Sequence, residues 1–194
     1  KFRPEDAVGL DLSRWEVAFN GAEPVRSETL ERFVETFAPF GFRASAFLPC
    51  YGLAEATLLV SGRKGVQAPT RFRVAEASHA KGRVVEAAHA EEPARTLVGC
   101  GAVAGGHSVW IVDPETGAPA GPDLVGEIVV SGPSVARGYW NGDSLGEGGF
   151  SREDGEVVLR TGDLGFLRGG ELFVTGRKRD LIIVRGRNLY PQDL

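Results

Sequence analysis

The chain contains no methionine and only two cysteines, Cys50 and Cys100, in 194 residues. Because it lacks an initiator methionine, we expect it to be a piece of a larger protein. Two cysteines are too few for a disulfide scaffold, which favours a reducing, cytoplasmic location. No apolar run approaches the roughly 20 residues that span a membrane, and no segment resembles a secretory signal. The sequence therefore predicts no membrane span.

An excess of positive charge is also missing. The 22 Lys and Arg residues against 26 Asp and Glu residues leave a net charge of −4. Nucleic-acid-binding proteins usually carry an overall basic surface, so we expect no nucleic-acid partner. The three histidines, His79, His89 and His107, do not share metal-ligand spacing with the cysteines. We expect them to be surface or structural residues.

A strand–helix–strand pattern occupies the first part of the chain. Residues 14–19 are predicted to form a strand, and residues 43–48 a second strand that ends at Pro49. Between them, apolar residues recur at helical spacing from Leu30, after Ser27 as a helix N-cap. This order is typical of a parallel sheet, in which ligands bind where the strands end.

The texture changes twice after residue 61. Residues 62–96 are rich in Ala, Arg and Glu and read as an insertion, with its own small core or packed on a neighbour. From residue 97 onwards, short strands alternate with Gly, Pro, Asn and Asp turns, which suggests a small barrel or sandwich with Trp110 and Trp140 in its core. The predicted strands of these two parts are 71–74, 83–85, 108–112, 126–131, 156–159, 165–167, 172–174 and 181–184.

Two segments near the strand ends suit a planar, charged ligand. The small residues of Asn20-Gly21-Ala22-Glu23-Pro24 let the backbone approach a flat ring closely, although the same residues are common in a plain strand-to-helix turn. In Tyr51-Gly52-Leu53-Ala54-Glu55, the tyrosine can stack on a base and the glutamate can hold Mg²⁺. The alternative for this second segment is a buried Tyr hydroxyl bonded to a helix-capping Glu.

Two later segments offer partners for a sugar and a phosphate. Asp163, within Arg160-Thr161-Gly162-Asp163, can accept from both hydroxyls of a vicinal diol, or it can form an Asx turn between strands. The cations of Gly176-Arg177-Lys178-Arg179-Asp180 suit phosphate, because arginine offers a bidentate fork. A solvated connector between two strands has a similar composition.

Taken together, these segments resemble the adenylate-forming superfamily, and within it most closely the fatty acyl-AMP ligases. The resemblance runs over nearly the whole chain and also includes Gly126-Glu127-Ile128, Gly138-Tyr139-Trp140 and residues 180–188. It implies an α/β plus β fold: the C-terminal part of a parallel-sheet αβ subdomain, followed by a small antiparallel β-barrel subdomain. The implied parts are 1–61 (sheet subdomain), 62–96 (family-type insertion), 97–177 (barrel) and 178–194 (hinge and start of a C-terminal domain).

The resemblance also implies roles for individual residues. Glu55, Asp163 and Arg177 are the implied catalytic residues: Glu55 would help hold Mg²⁺, Asp163 would bind both ribose hydroxyls, and Arg177 would contact the ribose and phosphate region. Asp180 would be the hinge. The residues implied to bind ATP or AMP are Asn20, Gly21, Ala22, Glu23, Tyr51, Gly52, Leu53, Ala54, Asp163 and Arg177, with the backbone of residues 21–23 and the Tyr51 ring bordering adenine.

The implied reaction uses ATP and Mg²⁺ to convert a fatty acid to acyl-AMP, followed by transfer to an acyl carrier protein. The insertion would restrain the C-terminal domain. The superfamily's phosphate loop and adenylation lysine are expected outside these 194 residues, so we expect no acyl-AMP formation by this chain alone.

Two other hypotheses stay open: an acyl-CoA synthetase or amino-acid adenylation domain, and a non-catalytic nucleotide-binding or docking module. The sequence makes no prediction of oligomeric state.

Overall fold

The computed structural model describes residues 2–62, 67–141, 148–185 and 187–190. The first part contains β1 (Ala18–Asn20), α1 (Ser27–Phe37), β2 (Phe47–Leu53) and β3 (Leu58–Gly62). The middle contains β4 (Arg71–Ala75), α2 (Glu76–His79), β5 (Ala94–Val98) and β6 (Ala102–Val103). The remainder contains β7 (Ser108–Val112), β8 (Gly126–Ser131), β9 (Phe150–Glu153), β10 (Glu156–Arg168), β11 (Glu171–Arg177), β12 (Ile182–Val184) and β13 (Arg187–Leu189). Short 3₁₀ turns lie at Pro4–Ala7, Ala38–Phe40, Ala44–Ala46, Ala54–Ala56 and Lys178–Asp180.

A mixed sheet with strand order β1-β2-β3-β6 forms the first layer. Strands β1 and β2 are parallel, with Ala18 opposite Phe47, and the other neighbours are antiparallel. Helix α1 connects the parallel pair and places Leu30, which is 1% exposed, against Phe42 and Phe47. The predicted strand–helix–strand unit with a parallel pair is therefore confirmed.

The boundaries of this unit differ from the prediction. Pro49 does not end a strand at 43–48: residues Ala44–Ala46 form a 3₁₀ turn, and β2 continues through Pro49 to Leu53. Pro49 lies opposite the last residue of β1 and just before the first β2 residue that pairs with β3. A proline is tolerated where the ladder on one side has not begun, since its missing N–H costs little there. The first strand is also shorter than 14–19: it begins at Ala18, and just before it the Trp15 indole donates to the Val17 carbonyl at 2.7 Å.

The predicted N-cap of α1 is wrong by one residue. Arg26 occupies the cap position, and Ser27 is the first residue of the helix. The Ser27 hydroxyl donates to Glu31 at 3.0 Å and accepts from Arg71 Nε at 2.8 Å. The serine therefore bonds within its own helix and to β4 instead of capping a backbone N–H.

The second layer is an antiparallel sheet with strand order β9-β10-β8-β7, and β11 pairs with β10 beside this path. Strand β10 runs continuously where two strands, 156–159 and 165–167, were predicted. The predicted Arg168-Gly169-Gly170 turn is confirmed as a hairpin, because Arg168 lies opposite Glu171 with both glycines at positive φ. Among the strands of the described residues, pairing does not close this sheet on itself, so the barrel stays a prediction.

An apolar cluster joins the two layers. Tyr51 and Val60 from the mixed sheet pack with Ile128, Val130 and Leu172 from the antiparallel sheet. Trp110 packs partly buried beside Val112, Val129 and Val158. The prediction for Trp140 is wrong, because this side chain is 94% exposed. The two sheets therefore share one core, without Trp140.

The predicted insertion packs on the antiparallel sheet. The antiparallel pair β4–β5 places Phe72 against Phe166 and Phe173. The predicted strand at 83–85 is wrong: this segment forms only an isolated bridge, between Arg83 and Leu124. The four predicted parts also include residues 1, 63–66, 142–147, 186 and 191–194, which lie outside the described residues.

The β12–β13 hairpin and the residue after it lie against the same insertion. The Asn188 amide donates to the Ala80 carbonyl at 2.7 Å. Tyr190 is 1% exposed and packs on the His79 ring at a centroid distance of 4.9 Å, and the Arg95 guanidinium lies 5.4 Å from the centroid of the Tyr190 ring. None of the helices in the described part of the chain has the length and apolar character needed to cross a membrane.

We expect His79 to make stability depend on pH. Burial, and next the charge of Arg95, lower the pKa of His79 to about 4 from 6.5. The unfolded chain therefore binds a proton between pH 6.5 and 4 that the folded chain does not, so the free energy of unfolding falls as the pH is lowered through this window, by up to about 3 kcal/mol. His79→Phe, which keeps the ring, should flatten the dependence in urea titrations at several pH values. His89→Gln, which removes an exposed imidazole, is the control, and an unchanged slope in His79→Phe would contradict the assignment.

Candidate functional site

The turn after β1 brings an exposed backbone close to β2. A Cβ on Gly21 would lie 2.8 Å from the Cys50 carbonyl oxygen, so only glycine allows this approach without a shift. Ala22 follows in the left-handed region at φ 68°. Ala22 and Glu23 are exposed and line a cleft. The turn therefore brings Ala22 and Glu23 to the cleft, while Gly21 packs on Cys50.

A tight corner between β2 and β3 places Glu55. A Cβ on Gly52 would lie 1.5 Å from the Leu58 carbonyl oxygen, so no side chain fits there. The register shifts between Tyr51 and Gly52, and Thr57 adopts φ 55°. The 3₁₀ turn Ala54–Ala56 sits inside this corner. Gly52 thus makes the corner possible, and the corner turns Glu55 towards the cleft.

A second irregularity, in β10, places Asp163. The register against β8 shifts between Arg160 and Leu164. Within the break, the Thr161 hydroxyl donates to the Ile128 carbonyl at 2.8 Å and accepts from the Asp163 amide at 3.1 Å. Gly162 has φ 73°, a left-handed value that favours glycine. On the β8 side, the Thr161 side chain therefore takes the place of ladder bonds before Asp163, while Asp163 stays paired with Arg177 on β11.

The Asp163 carboxylate is held between two sheets. Its Oδ2 accepts from the Tyr51 hydroxyl at 2.8 Å, and its Oδ1 lies 3.2 Å from Arg177 Nε. Its side chain is 13% exposed. Burial raises the pKa of Asp163, against the opposing effects of the Tyr51 hydrogen bond and the Arg177 charge. Burial, and next the Asp163 charge, raise the pKa of Tyr51, which stays a neutral donor.

Glu55 is held by a different tyrosine. Tyr139 donates its hydroxyl to Glu55 Oε1 at 2.5 Å, and this hydrogen bond raises the pKa of Tyr139. The Ala136 amide donates to the Glu55 carbonyl at 2.7 Å. The alternative in which Tyr51 bonds a capping Glu is therefore wrong: Tyr51 bonds Asp163, and Glu55 bonds Tyr139.

The predicted residues converge on two adjoining clefts. The larger cleft, of about 680 Å³, is lined by ten of them: Ala22, Glu23, Tyr51, Gly52, Leu53, Ala54, Glu55, Asp163, Arg177 and Asp180. The smaller cleft, of about 620 Å³, contains Tyr139, Arg160, Lys178 and Arg179. Leu53, Glu55, Asp163 and Arg177 line both. Asn20 and Gly21 are not among the lining residues: Asn20 accepts from the Cys50 thiol through its carbonyl, and Gly21 packs on Cys50.

The donors around Glu55 fit Mg²⁺ only with help from a ligand. In the described residues, no group of three His, Cys, Asp or Glu side chains is arranged to hold a metal ion. Mg²⁺ is usually bound by one or two carboxylates together with substrate phosphates and water. Glu55 supplies one carboxylate beside the shared wall of the two clefts. The site therefore fits Mg²⁺ that arrives with a phosphate-bearing ligand.

Several of the described contributors to this site are not identified as site residues by the sequence, and three of them make contacts that shape it. Tyr139 holds Glu55, Arg160 lines the smaller cleft, and Glu127 bonds to both Arg160 and Gly162. Tyr139, Arg160 and Glu127 do stand within the segments that carry the family resemblance. The spacing of those segments is the signal that places them near the site, but it does not reveal which groups they contact.

Residues 2–140 match the family model described as AMP-binding enzyme, and the chain belongs to this family. A medium-chain-fatty-acid–[acyl-carrier-protein] ligase, JamA of Moorena producens (strain JHB), is 52% identical over 98% of this chain and 33% of its own length. A structure from a study of fatty acyl-adenylate ligases from E. coli and L. pneumophila superposes with a TM-score of 0.90 at 39% identity, covering 100% of this chain and 34% of that one. The L. pneumophila fatty acyl-adenylate ligase in complex with acyl adenylate and pyrophosphate gives a TM-score of 0.82 at 46% identity, covering 93% and 32%. The chain thus spans about a third of the length of these relatives.

Replacing Tyr51 with Phe should raise the pKa of Asp163 further. The Tyr51 hydroxyl donates to the ionised carboxylate and stabilises it, so its loss favours the protonated form. We expect NMR titration of ¹³C-labelled aspartate carboxyls to show this rise. Tyr139→Phe is the matched control, since it removes a hydroxyl that bonds Glu55 instead. Equal Asp163 titrations in wild type and Tyr51→Phe would argue against the hydrogen bond.

Proposed function

We propose that this chain forms the nucleotide-binding part of a ligase that activates a fatty acid with ATP. The observation that carries the proposal is the convergence of Asp163, Arg177 and Glu55 on one cleft beside the Ala22–Glu23 turn. The relatives support the substrate class, since their names describe fatty-acid ligases and one was solved with acyl adenylate and pyrophosphate. We therefore favour the fatty acyl-AMP ligase branch for the protein that contains this chain.

Asp163 is proposed to bind the ribose. A carboxylate oxygen can accept more than one hydrogen bond, so Oδ1 and Oδ2 can each accept from a ribose hydroxyl while keeping Arg177 and Tyr51 as partners. The two partners fix the plane of the carboxylate before the ligand arrives. Tyr51 is 7% exposed, so its proposed contact with adenine is limited to the part of the ring that lines the cleft. Its larger contribution is to orient Asp163.

Arg177 and Glu55 are proposed to act on the phosphates. Arg177 is half exposed and uses Nε for Asp163, which leaves its terminal guanidinium nitrogens to donate to a phosphate oxygen. Glu55 would hold Mg²⁺ together with phosphate oxygens, and Tyr139 would keep that carboxylate aimed at the shared wall. Bound there, Mg²⁺ would neutralise phosphate charge.

In the proposed reaction, a carboxylate oxygen of the fatty acid attacks the α-phosphorus of ATP. A phosphorus–oxygen bond forms, the bond to the β-phosphate oxygen breaks, and pyrophosphate leaves with that electron pair. The product is an acyl-AMP mixed anhydride. Little covalent chemistry falls to the protein, so positioning and charge stabilisation carry the rate. Asp163 and Arg177 position the nucleotide for this attack.

The four predicted parts of the chain are kept as a proposal. The first comprises the sheet subdomain, 1–61, and 97–177 is proposed to complete a small barrel. The bond from Asn188 to Ala80 and the packing of Tyr190 on His79 support the proposal that 62–96 restrains the domain beyond the hinge. Asp180 ends the 3₁₀ turn that directly follows β11, which supports its role as the hinge.

An acyl carrier protein is the proposed acceptor of the acyl group. The proposed compartment is the cytoplasm.

Asp163→Asn should abolish discrimination between adenosine and 2′,3′-dideoxyadenosine. The wild-type chain is expected to prefer adenosine by about tenfold or more, because hydrogen bonds to a charged group are among the strong ones. NMR titration of the chain with each nucleoside measures the ratio. Asp123→Asn, which alters an exposed carboxylate near Arg168, is the control. A ratio that survives in Asp163→Asn would remove Asp163 from the ribose site.

The acyl acceptor separates the competing functions. A complete ligase carrying this chain should catalyse fatty-acid-dependent ATP–pyrophosphate exchange and load an acyl carrier protein in preference to free coenzyme A. Efficient acyl-CoA formation would favour an acyl-CoA synthetase, and amino-acid-dependent exchange an amino-acid adenylation domain. Absence of exchange with any acid would favour a non-catalytic binding module.

A further inference from the structure

A buried carboxylate supports the bulge that carries Asp163. Glu127, on β8, is 5% exposed. Its Oε2 accepts from Arg160 Nε at 3.1 Å and also from Arg160 Nη2, and its Oε1 accepts from the Gly162 amide at 3.2 Å. Both donors belong to the Arg160–Asp163 segment. A single acidic side chain therefore bonds to the bulge at two positions.

The bulge needs this support because the hydrogen-bond ladder between β10 and β8 is interrupted there. Arg160 lies opposite Val129 and Leu164 opposite Glu127, so residues 161–163 face Ile128 alone. A backbone N–H that is shielded from water and lacks a partner is costly, and the partly buried Gly162 N–H has no partner in the interrupted β8 ladder. Glu127 accepts this N–H, while Thr161 bonds Ile128 and the Asp163 amide. Side-chain bonds thus set the path of the chain immediately before Asp163.

Charge ties the same residues together. A buried carboxylate is stable only when it is paired and hydrogen-bonded. Arg160 supplies the countercharge and is itself anchored by the Pro114 carbonyl at 3.2 Å. Because its guanidinium is engaged by Glu127 and Pro114, Arg160 lines the smaller cleft as a neutralised group. Its role there differs from that of Arg177, whose partner Asp163 lines both clefts.

We propose that Glu127 is a positioning residue that, through Arg160 and Gly162, fixes the bulge so that Asp163 presents its carboxylate to a vicinal diol. This inference rests on the proposed ribose role of Asp163. It assigns to Glu127 no contact with the nucleotide. Its effect should therefore appear as lost discrimination of the diol, with little change in affinity for the rest of the nucleoside.

The test uses Glu127→Gln, which keeps the shape of the side chain and removes its charge. We expect the preference of the folded chain for adenosine over 2′,3′-dideoxyadenosine to fall about tenfold, with dideoxyadenosine binding unchanged. Glu86→Gln, which changes an exposed carboxylate paired with Arg168, is the matched control and should keep the wild-type ratio. In Glu127→Gln/Asp163→Asn, the ratio should match that of Asp163→Asn alone, because both changes act on one interaction.

The outcomes separate the two assignments. A wild-type ratio in folded Glu127→Gln, together with a lost ratio in Asp163→Asn, would overturn the positioning role and leave the proposed function intact. A wild-type ratio in Asp163→Asn would overturn both. If Glu127→Gln does not fold, Arg160→Lys replaces it, since lysine keeps the charge but loses the two-nitrogen contact with Oε2. A wild-type ratio in folded Arg160→Lys would then overturn the proposal.

Discussion

The ion pair and hydrogen bond at Asp163 are the interactions on which the arrangement of the cleft depends. Tyr51 comes from the mixed sheet and Arg177 from the end of β11, and their atoms meet at opposite oxygens of one carboxylate. The Tyr51 contact depends on the shared core of Tyr51, Val60, Ile128 and Leu172, which brings the two sheets together. Arg177 is instead the direct cross-strand neighbour of Asp163 within one sheet. Burial raises the pKa of Asp163, while the Tyr51 hydrogen bond and the Arg177 charge lower it. The same two partners orient the carboxylate.

Irregular backbone, more than regular strands, brings charge to the cleft. The corner at Gly52 delivers Glu55, and the bulge at Gly162 delivers Asp163. Each irregularity has its own support: Ala136 and Tyr139 hold the first, and Glu127 holds the second. In a regular strand, side chains alternate between the two faces of the sheet, whereas these two irregularities turn the carboxylates of Glu55 and Asp163 towards the cleft.

Sequence reasoning identified the residues of the cleft better than the boundaries of the elements. Residue type and spacing singled out the segments that contain Ala22, Glu55, Asp163 and Arg177, and the family resemblance selected these residues within them. The Tyr51–Asp163 contact could not be predicted from local patterns, since the two residues are 112 positions apart and only the packing of two sheets joins them. Local rules also failed at two positions: Pro49 continues a strand, and Trp140 is exposed to solvent.

The end of β11 links the cleft mechanically to the proposed hinge. Arg177 is the last residue of this strand, and the turn Lys178–Asp180 begins at the next position, so the Arg177 backbone is joined directly to the turn that contains the proposed pivot. Lys178 is further tied to the Pro114 carbonyl at 2.6 Å, the same carbonyl that anchors Arg160. A rotation of the chain at Asp180 would therefore displace Arg177, which bonds to Asp163, and Lys178, which shares the Pro114 carbonyl with Arg160. Under the proposed function, rotation of the following domain and the grip on the nucleotide would be a single coupled motion.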